Sequence, residues 1–151
     1  MEKYIHKVQY YETDKMGITH HSNYIRWMEE ARVDYMDQVG VGYKQLEEAG
    51  LASPVIGIEG EYKSATTFGD CVEIVVEVEE YNGIKLSLKY EMLRTEDKKL
   101  VFKGKSRHCF LNRAGKPVVL KKSFPELDSK IKEEIRRDAP EQGAFGNAEK
   151  A

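Results

Sequence analysis

The clearest helical pattern in the chain extends from Ser22 to Val39. Apolar residues recur within it at spacings of three and four, which is the period of a helix face. That face comprises Tyr24, Trp27, Met28, Ala31 and Tyr35, and it is widened by Ile25, Val33, Met36 and Val39. We therefore expect this helix to be covered on most of its circumference, with its remaining polar side in contact with water or a partner chain. Gly40 and Gly42 are expected to end it, since glycine suits the left-handed conformation of a helix C-terminus.

Strand patterns fill most of the remaining chain. Tyr4 to Glu12 is rich in aromatic and β-branched residues, which predicts a first strand. A second strand is expected to begin after Pro54. Apolar and polar residues then alternate over 72–79 and over 84–92, and the Tyr-Asn-Gly turn between these two segments predicts a hairpin.

A last strand is predicted from 99 to 111, with small residues in its middle that leave room for a crossing helix. A short helix is expected over 43–49, and a final amphipathic helix is expected to begin at 123–125. These elements predict one α+β domain, residues 1–138, in which a five-stranded antiparallel sheet wraps a single long helix. Residues 139–151 have no pattern, and we expect them to be disordered.

Composition narrows the classes of function. The 151 residues have a net charge of −2, with 33% charged residues, so no general positive field would attract nucleic acid or a membrane. No apolar run reaches the roughly 18 residues of a membrane-spanning helix, and the N-terminus is too polar for a signal peptide. We therefore expect a cytoplasmic protein. Its two cysteines, Cys71 and Cys109, are too few for a disulfide framework and are interpreted as small buried residues.

Candidate chemistry is concentrated before the long helix. Asp14 lies in a Thr-Asp-Lys-Met-Gly turn, in which Gly17 allows a backbone conformation closed to other residues. His21 follows at the helix start, and Ser22 or a close neighbour is expected to cap the helix. The free N–H groups and partial positive charge of a helix start can stabilise a carbonyl oxygen that becomes an anion. Taken alone, however, Asp14 could simply accept a hydrogen bond from its own turn.

The same residues carry a resemblance to a known family. Thr13-Asp14, Gly17, His21, Asn23-Tyr24 and Glu29-Glu30-Ala31-Arg32 resemble the signature of hotdog-fold acyl-CoA thioesterases of the 4-hydroxybenzoyl-CoA thioesterase group, particularly its Tol–Pal-associated short-chain members. The resemblance extends from about Tyr4 to the start of the C-terminal helix, and 62–70 resembles the family's turn between its second and third strands. It implies a hotdog fold.

The resemblance also implies roles for individual residues. Asp14 corresponds to the catalytic carboxylate, and His21 to a histidine or tyrosine at the helix start whose backbone N–H holds the carbonyl oxygen. Gly17, Tyr24 and Thr67 are assigned to the ligand site, although Tyr24 fits the core equally well. Lys63 and Lys85 are the candidates for the CoA phosphates. His6, His20 and His108 suggest no distinctive metal-ligand spacing, so we expect no metal and no cofactor.

The implied activity is hydrolysis of an acyl-CoA, with Asp14 acting as general base or as nucleophile. The alternative is a non-catalytic hotdog protein that binds acyl thioesters or regulates. In the resembling family the second strand pairs with its copy across a two-fold axis and places each site at the subunit boundary. We therefore expect a homodimer, or a dimer of dimers, with residues 55–68 of one chain beside Asp14 of the other.

Overall fold

The structure is a computed structural model that describes the backbone of residues 3–138 and the side chains of residues 3–136. The predicted disordered tail at 139–151 lies outside the described residues. Five antiparallel strands form one sheet in the order β1-β3-β4-β5-β2. The strands are β1 Tyr4–Lys7, β2 Val55–Tyr62, β3 Cys71–Tyr81, β4 Lys85–Arg94 and β5 Leu100–Cys109. The helices are α1 Ser22–Val39, α2 Tyr43–Glu48, α3 Leu120–Ser123 and α4 Pro125–Asp138. The predicted α+β fold is confirmed.

The first strand is shorter than the predicted 4–12. It pairs with β3 only as far as Lys7 opposite Cys71, because β3 begins there. Beyond this point the chain has no neighbouring strand and tightens into a 3-10 turn over Tyr10–Glu12. This turn brings the next residues, including Asp14, to the end of the sheet where β3 begins.

The long helix has the predicted bounds, but its start is built differently from the prediction. His21 occupies the N-cap position in a helical conformation, and no side chain caps it from there. Ser22 does not cap the helix; its own N–H instead donates to the His20 ring at 3.2 Å. At the other end Gly40 adopts the left-handed conformation with φ 88°, as predicted.

The long helix α1 lies across the inner face of the sheet. Trp27 and Met28 are fully buried beneath it. Gly104 in β5 makes this contact possible, because a Cβ there would come within 3.0 Å of the Met28 thioether and 2.9 Å of the Phe102 ring. The predicted role of small residues in the middle of the last strand is confirmed at this glycine.

The sheet covers only one side of α1. Ile25 and Val33 point away from it and remain 46% and 44% exposed. The predicted packing of one five-stranded sheet against one long helix is confirmed, with these two apolar side chains outside its cover. One apolar strip of the helix is left open beside β2.

The edge strand β2 is open along its outer side. Lys63 N–H donates to the Val101 carbonyl at 2.9 Å, and hydrogen-bonded positions alternate along an antiparallel pair. Glu61 and Glu59 therefore bond to β5, whereas Ile58, Gly60 and Tyr62 turn their backbone groups outward. Most of its side chains are exposed as well.

Two glycines in β2 make room for side chains of the neighbouring strand β5. A Cβ at Gly60 would meet the Phe102 ring at 2.5 Å, and one at Gly57 would meet the Arg107 guanidinium at 2.7 Å.

The C-terminal helix α4 closes the side of the sheet near β3. Tyr81 and Tyr35 donate to its carboxylates Asp128 and Glu134. The last strand ends at Cys109 rather than 111, because Leu111 instead bridges Ala52 and Pro117. In the described part of the chain, no helix combines the length and apolar character needed to cross a membrane.

Candidate active site

Asp14 lies at the tip of the turn that precedes α1. Its Oδ1 accepts the Met16 N–H at 2.8 Å, and its backbone carbonyl accepts the Gly17 N–H at 3.0 Å. Gly17 has φ 81°, as a tight turn of this kind requires. The carboxylate is half-buried, and its Oδ2 makes no hydrogen bond to any described residue. One oxygen therefore holds the turn and the other is available to a ligand.

A cleft of about 950 Å³ opens beside this carboxylate. Its walls come from the 3-10 turn, the Asp14 turn and the first turns of α1. They carry charges of both signs: Glu12, Asp14 and Glu30 against Lys15 and Arg26. The cleft therefore offers a carboxylate and cationic groups to the same ligand.

The two adjacent histidines lie together at the helix start. His20 lines the cleft with Asp14. His21 stacks on His20 with ring centroids 4.2 Å apart and faces the ring of Tyr62 edge-on at 6.4 Å. Tyr62 also donates to the His21 carbonyl at 3.0 Å. The His21 N–H itself finds no acceptor among the described residues, as a donor for a substrate oxygen requires.

Glu12 is a buried acid that the sequence pattern does not reveal. Its carboxylate accepts hydrogen bonds from the Gln9 N–H at 2.8 Å and the Trp27 indole at 2.7 Å, and it lies 2.8 Å from the His6 ring. Burial alone would raise the pKa of Glu12, but these bonds outweigh it and hold the pKa below its ordinary value. Its backbone carbonyl accepts from Asn23 in α1. Glu12 thus fixes the Asp14 turn onto the helix.

Thr66 makes a second connection to the helix, which sequence reasoning missed. Its hydroxyl lies 2.6 Å from that of Thr19 and 2.9 Å from that of Tyr24, and the residue is fully buried. Tyr24 also stacks on Phe102 at 5.2 Å. Tyr24 is therefore a core residue whose phenol joins the helix start to the 63–70 loop.

The remaining predicted ligand residues are scattered. Lys63 follows β2 and pairs with Glu61 at 2.7 Å, and Thr67 is exposed beside Thr66, with its N–H bonded to Asp70. Lys85 begins β4, whereas the Asp14 turn contacts the loops at the opposite end of the sheet. Nine strand residues separate these ends, roughly 30 Å. Within one chain, therefore, Lys85 and Asp14 are not brought together.

The sequence profile of the Thioesterase-like superfamily matches residues 8–135, which include the Asp14 turn, α1 and the whole sheet except β1. The chain belongs to this superfamily. YneP of Bacillus subtilis, provisionally named as an acyl-CoA thioesterase, is 35% identical over 121 residues, covering 80% of this chain and 87% of YneP. A provisionally named esterase of Aquifex aeolicus is 32% identical over 124 residues, 82% of this chain and 94% of that protein.

Solved structures agree with the family. The crystal structure described as the DHNA-CoA thioesterase of Staphylococcus aureus superimposes with a TM-score of 0.83 at 29% identity, covering 92% of this chain and 93% of that one. The hotdog fold and the thioester-hydrolase class, both predicted from the Asp14 motif, are confirmed at the level of this superfamily. The narrower likeness to the 4-hydroxybenzoyl-CoA group and its Tol–Pal-associated members stays a prediction.

Proposed function

We propose that this chain hydrolyses an acyl-CoA thioester to the free acid and CoA, with Asp14 as the reacting carboxylate. The observation that carries this proposal is that the two carboxylate oxygens of Asp14 differ: Oδ1 accepts the Met16 N–H, and Oδ2 is left available to a substrate. Oδ2 either removes a proton from the attacking water or attacks the thioester carbonyl to form an anhydride that water then opens. The departing CoA thiolate is a good leaving group, so no strong acid is needed.

The developing oxyanion is assigned to the start of α1. The His21 N–H is available there, and the aligned peptide dipoles add about half a positive charge at the helix N-terminus. Lys15 and Arg26 add cationic character to the cleft for the phosphates of CoA. The imidazole of His21 then serves mainly to position the backbone.

We further propose that two chains share each site. The edge of β2 exposes unpaired backbone groups, and the neighbouring side of α1 exposes the apolar side chains Ile25 and Val33. Proteins usually pair or cover such an edge, and a second chain could bury both surfaces at once. Antiparallel pairing of β2 with its copy places the Val55 end of one strand opposite the Tyr62 end of the other. Val55 lies at the same end of the sheet as Lys85, whereas Tyr62 contacts His21. Lys85 of the second chain is therefore brought to the side of the first chain's helix start.

Asp14→Asn tests this function. Asparagine keeps the oxygen that accepts the Met16 N–H, so the turn and the free energy of unfolding should change little. Turnover of a panel of acyl-CoA thioesters should fall by about 10² to 10⁴, the usual contribution of a positioned acid or base. Asp97→Asn is the matched control, because Asp97 also accepts a turn N–H, from Lys99, and does not line the cleft.

If Asp14→Asn keeps near-normal turnover, Asp14 is only a turn residue and this mechanism is wrong. If the wild-type chain hydrolyses no member of the panel yet binds it, the non-catalytic alternative holds instead. Calorimetric binding of acyl-CoA to the wild-type protein separates these two outcomes.

A further inference from the structure

A second cavity, of about 440 Å³, lies under the C-terminal half of α1, between α2 and the start of β2. This volume is within the range of small-ligand sites. Much of its wall is apolar, formed by Val33, Met36, Leu46, Leu86 and Leu88. It is about two to three helix turns from the helix start, roughly 15 Å in the same chain. The proposed pairing of β2 strands would instead place it beside the helix start of the second chain.

His108 lines the floor of this cavity, and two further buried polar residues lie behind it. The Tyr90 hydroxyl lies 2.6 Å from Ser106 Oγ, which lies 2.7 Å from His108 Nε2. Each of the three residues is at most 2% exposed. Each hydroxyl proton has an acceptor when Tyr90 donates to Ser106 and Ser106 donates to His108. The imidazole proton then lies on Nδ1.

His108 is therefore a neutral donor. Burial, with the positive charge of Arg32, lowers its pKa to about 4, although the Pro54 carbonyl acts in the opposite direction. Nδ1 makes no hydrogen bond of normal geometry to the described residues. The Pro54 carbonyl is close enough to affect the ring but does not complete a hydrogen bond with Nδ1. A buried donor that is not satisfied is costly, so we expect a ligand to accept from it.

Arg32 brings a second unused donor to the same cavity. Its Nη2 donates to Glu29 Oε1 at 2.6 Å, while its Nε is buried without a partner. Glu29 also lines the cavity and balances the charge of Arg32. Glu47 also lines the cavity, so Arg32 faces two carboxylates and the lining has a net charge of −1. Two N–H donors in such a site suit a neutral oxygen, such as a hydroxyl or a ketone, better than a carboxylate.

We propose that His108 determines acyl specificity, because with Arg32 it binds a neutral oxygen at the far end of the acyl group. This inference rests on the proposed hydrolysis and on the two-chain site, in which the cavity of one chain receives the acyl group bound at Asp14 of the other. Tyr90 and Ser106 are positioning residues that hold the imidazole and its proton.

The test compares matched substrates that differ only in the distal oxygen: benzoyl-CoA with 4-hydroxybenzoyl-CoA, and hexanoyl-CoA with 5-oxohexanoyl-CoA. The wild-type kcat/KM should favour the oxygenated member of at least one pair by about 10- to 100-fold, the equivalent of one or two hydrogen bonds. His108→Phe should bring that ratio close to one. Leu88→Met and Cys109→Ala, an apolar wall residue and the next residue along β5, should preserve it.

A second measurement does not depend on hydrolysis or on any variant. In wild-type protein carrying ¹⁵N-labelled histidine, methyl 4-hydroxybenzoate should shift the His108 ring resonances, and methyl benzoate should not. If the protein hydrolyses both members of each pair with equal kcat/KM and the His108 resonances do not shift, this inference is wrong and the proposed function stands. A shift without hydrolysis of any acyl-CoA would leave the oxygen site standing and reject the proposed function.

Discussion

Asp14 and His21 lie in adjoining turns yet are expected to act through different atoms. In the proposed mechanism Asp14 acts through the side-chain oxygen that its turn does not use. His21 acts there through its backbone N–H, while its ring stacks on His20 and faces Tyr62. A residue's identity therefore matters more at position 14 than at position 21.

His21→Ala should lower turnover by less than tenfold, because alanine retains the N–H that is assigned to the oxyanion. The measurement is kcat for the same acyl-CoA used with Asp14→Asn. Circular dichroism should show α1 intact, since no side-chain cap is lost. A loss as large as that of Asp14→Asn would bring the imidazole itself into the chemistry.

Glu12→Gln should destabilise the fold by about 2 kcal/mol at pH 7, because an amide cannot accept hydrogen bonds at both of its ends from Trp27, His6 and Gln9. The pKa of Glu12 is lowered in the folded chain. Its stabilisation is thus complete above the unfolded pKa and is lost as the pH falls through the folded pKa.

Urea unfolding of the two proteins should show a gap that narrows below about pH 4.5. Glu48→Gln, at an exposed position of α2, is the control and should match wild type throughout. A gap that stays constant down to pH 3 would mean that the charge of Glu12 does not matter.

At the level of elements, α1 packs against β5 where the Met28 thioether lies over Gly104. This contact depends on the absence of a side chain at Gly104. Gly104→Ala should cost about 1–3 kcal/mol, the usual penalty of overpacking a core. In the background of Met28→Ala the same change should cost less, because the thioether it meets is gone.

A double-mutant cycle of these two substitutions, measured by chemical unfolding, tests the contact. The two single costs should not add. Strict additivity would show that the helix and the strand do not meet at this point.

The helices and strands were predictable to different degrees. The bounds of α1 follow from its long apolar period and from Gly40, both local properties of the sequence. The end of β1 does not, because it is set by where β3 begins. The motif around Asp14 identified the turn, but the buried positions of Glu12 and Thr66 depend on contacts with α1 that no local pattern encodes. The buried hydrogen bonds that connect Tyr90, Ser106 and His108 are likewise not encoded by a local pattern.

At the scale of the whole molecule, the open edge of β2 is the feature that calls for a partner. Ile58→Pro removes an outward N–H without breaking a bond to β5. We expect a folded monomer by sedimentation, with little hydrolysis. Ile58→Val keeps the N–H and should stay dimeric and active.

Glu59→Pro is the opposing control, since the Glu59 N–H bonds to β5, and it should unfold the sheet as well. A wild-type chain that sediments as an active monomer at micromolar concentration would rule out the shared site.

The proposed pairing of β2 with its copy would also link activity to the amount of protein present. Below the dissociation constant of the pair, the concentration of dimers rises with the square of the chain concentration. Doubling synthesis in that range would therefore increase the rate of hydrolysis about fourfold. A cell with few copies of the chain would contain folded monomers that hydrolyse almost no substrate, so activity would rise more steeply than gene dosage.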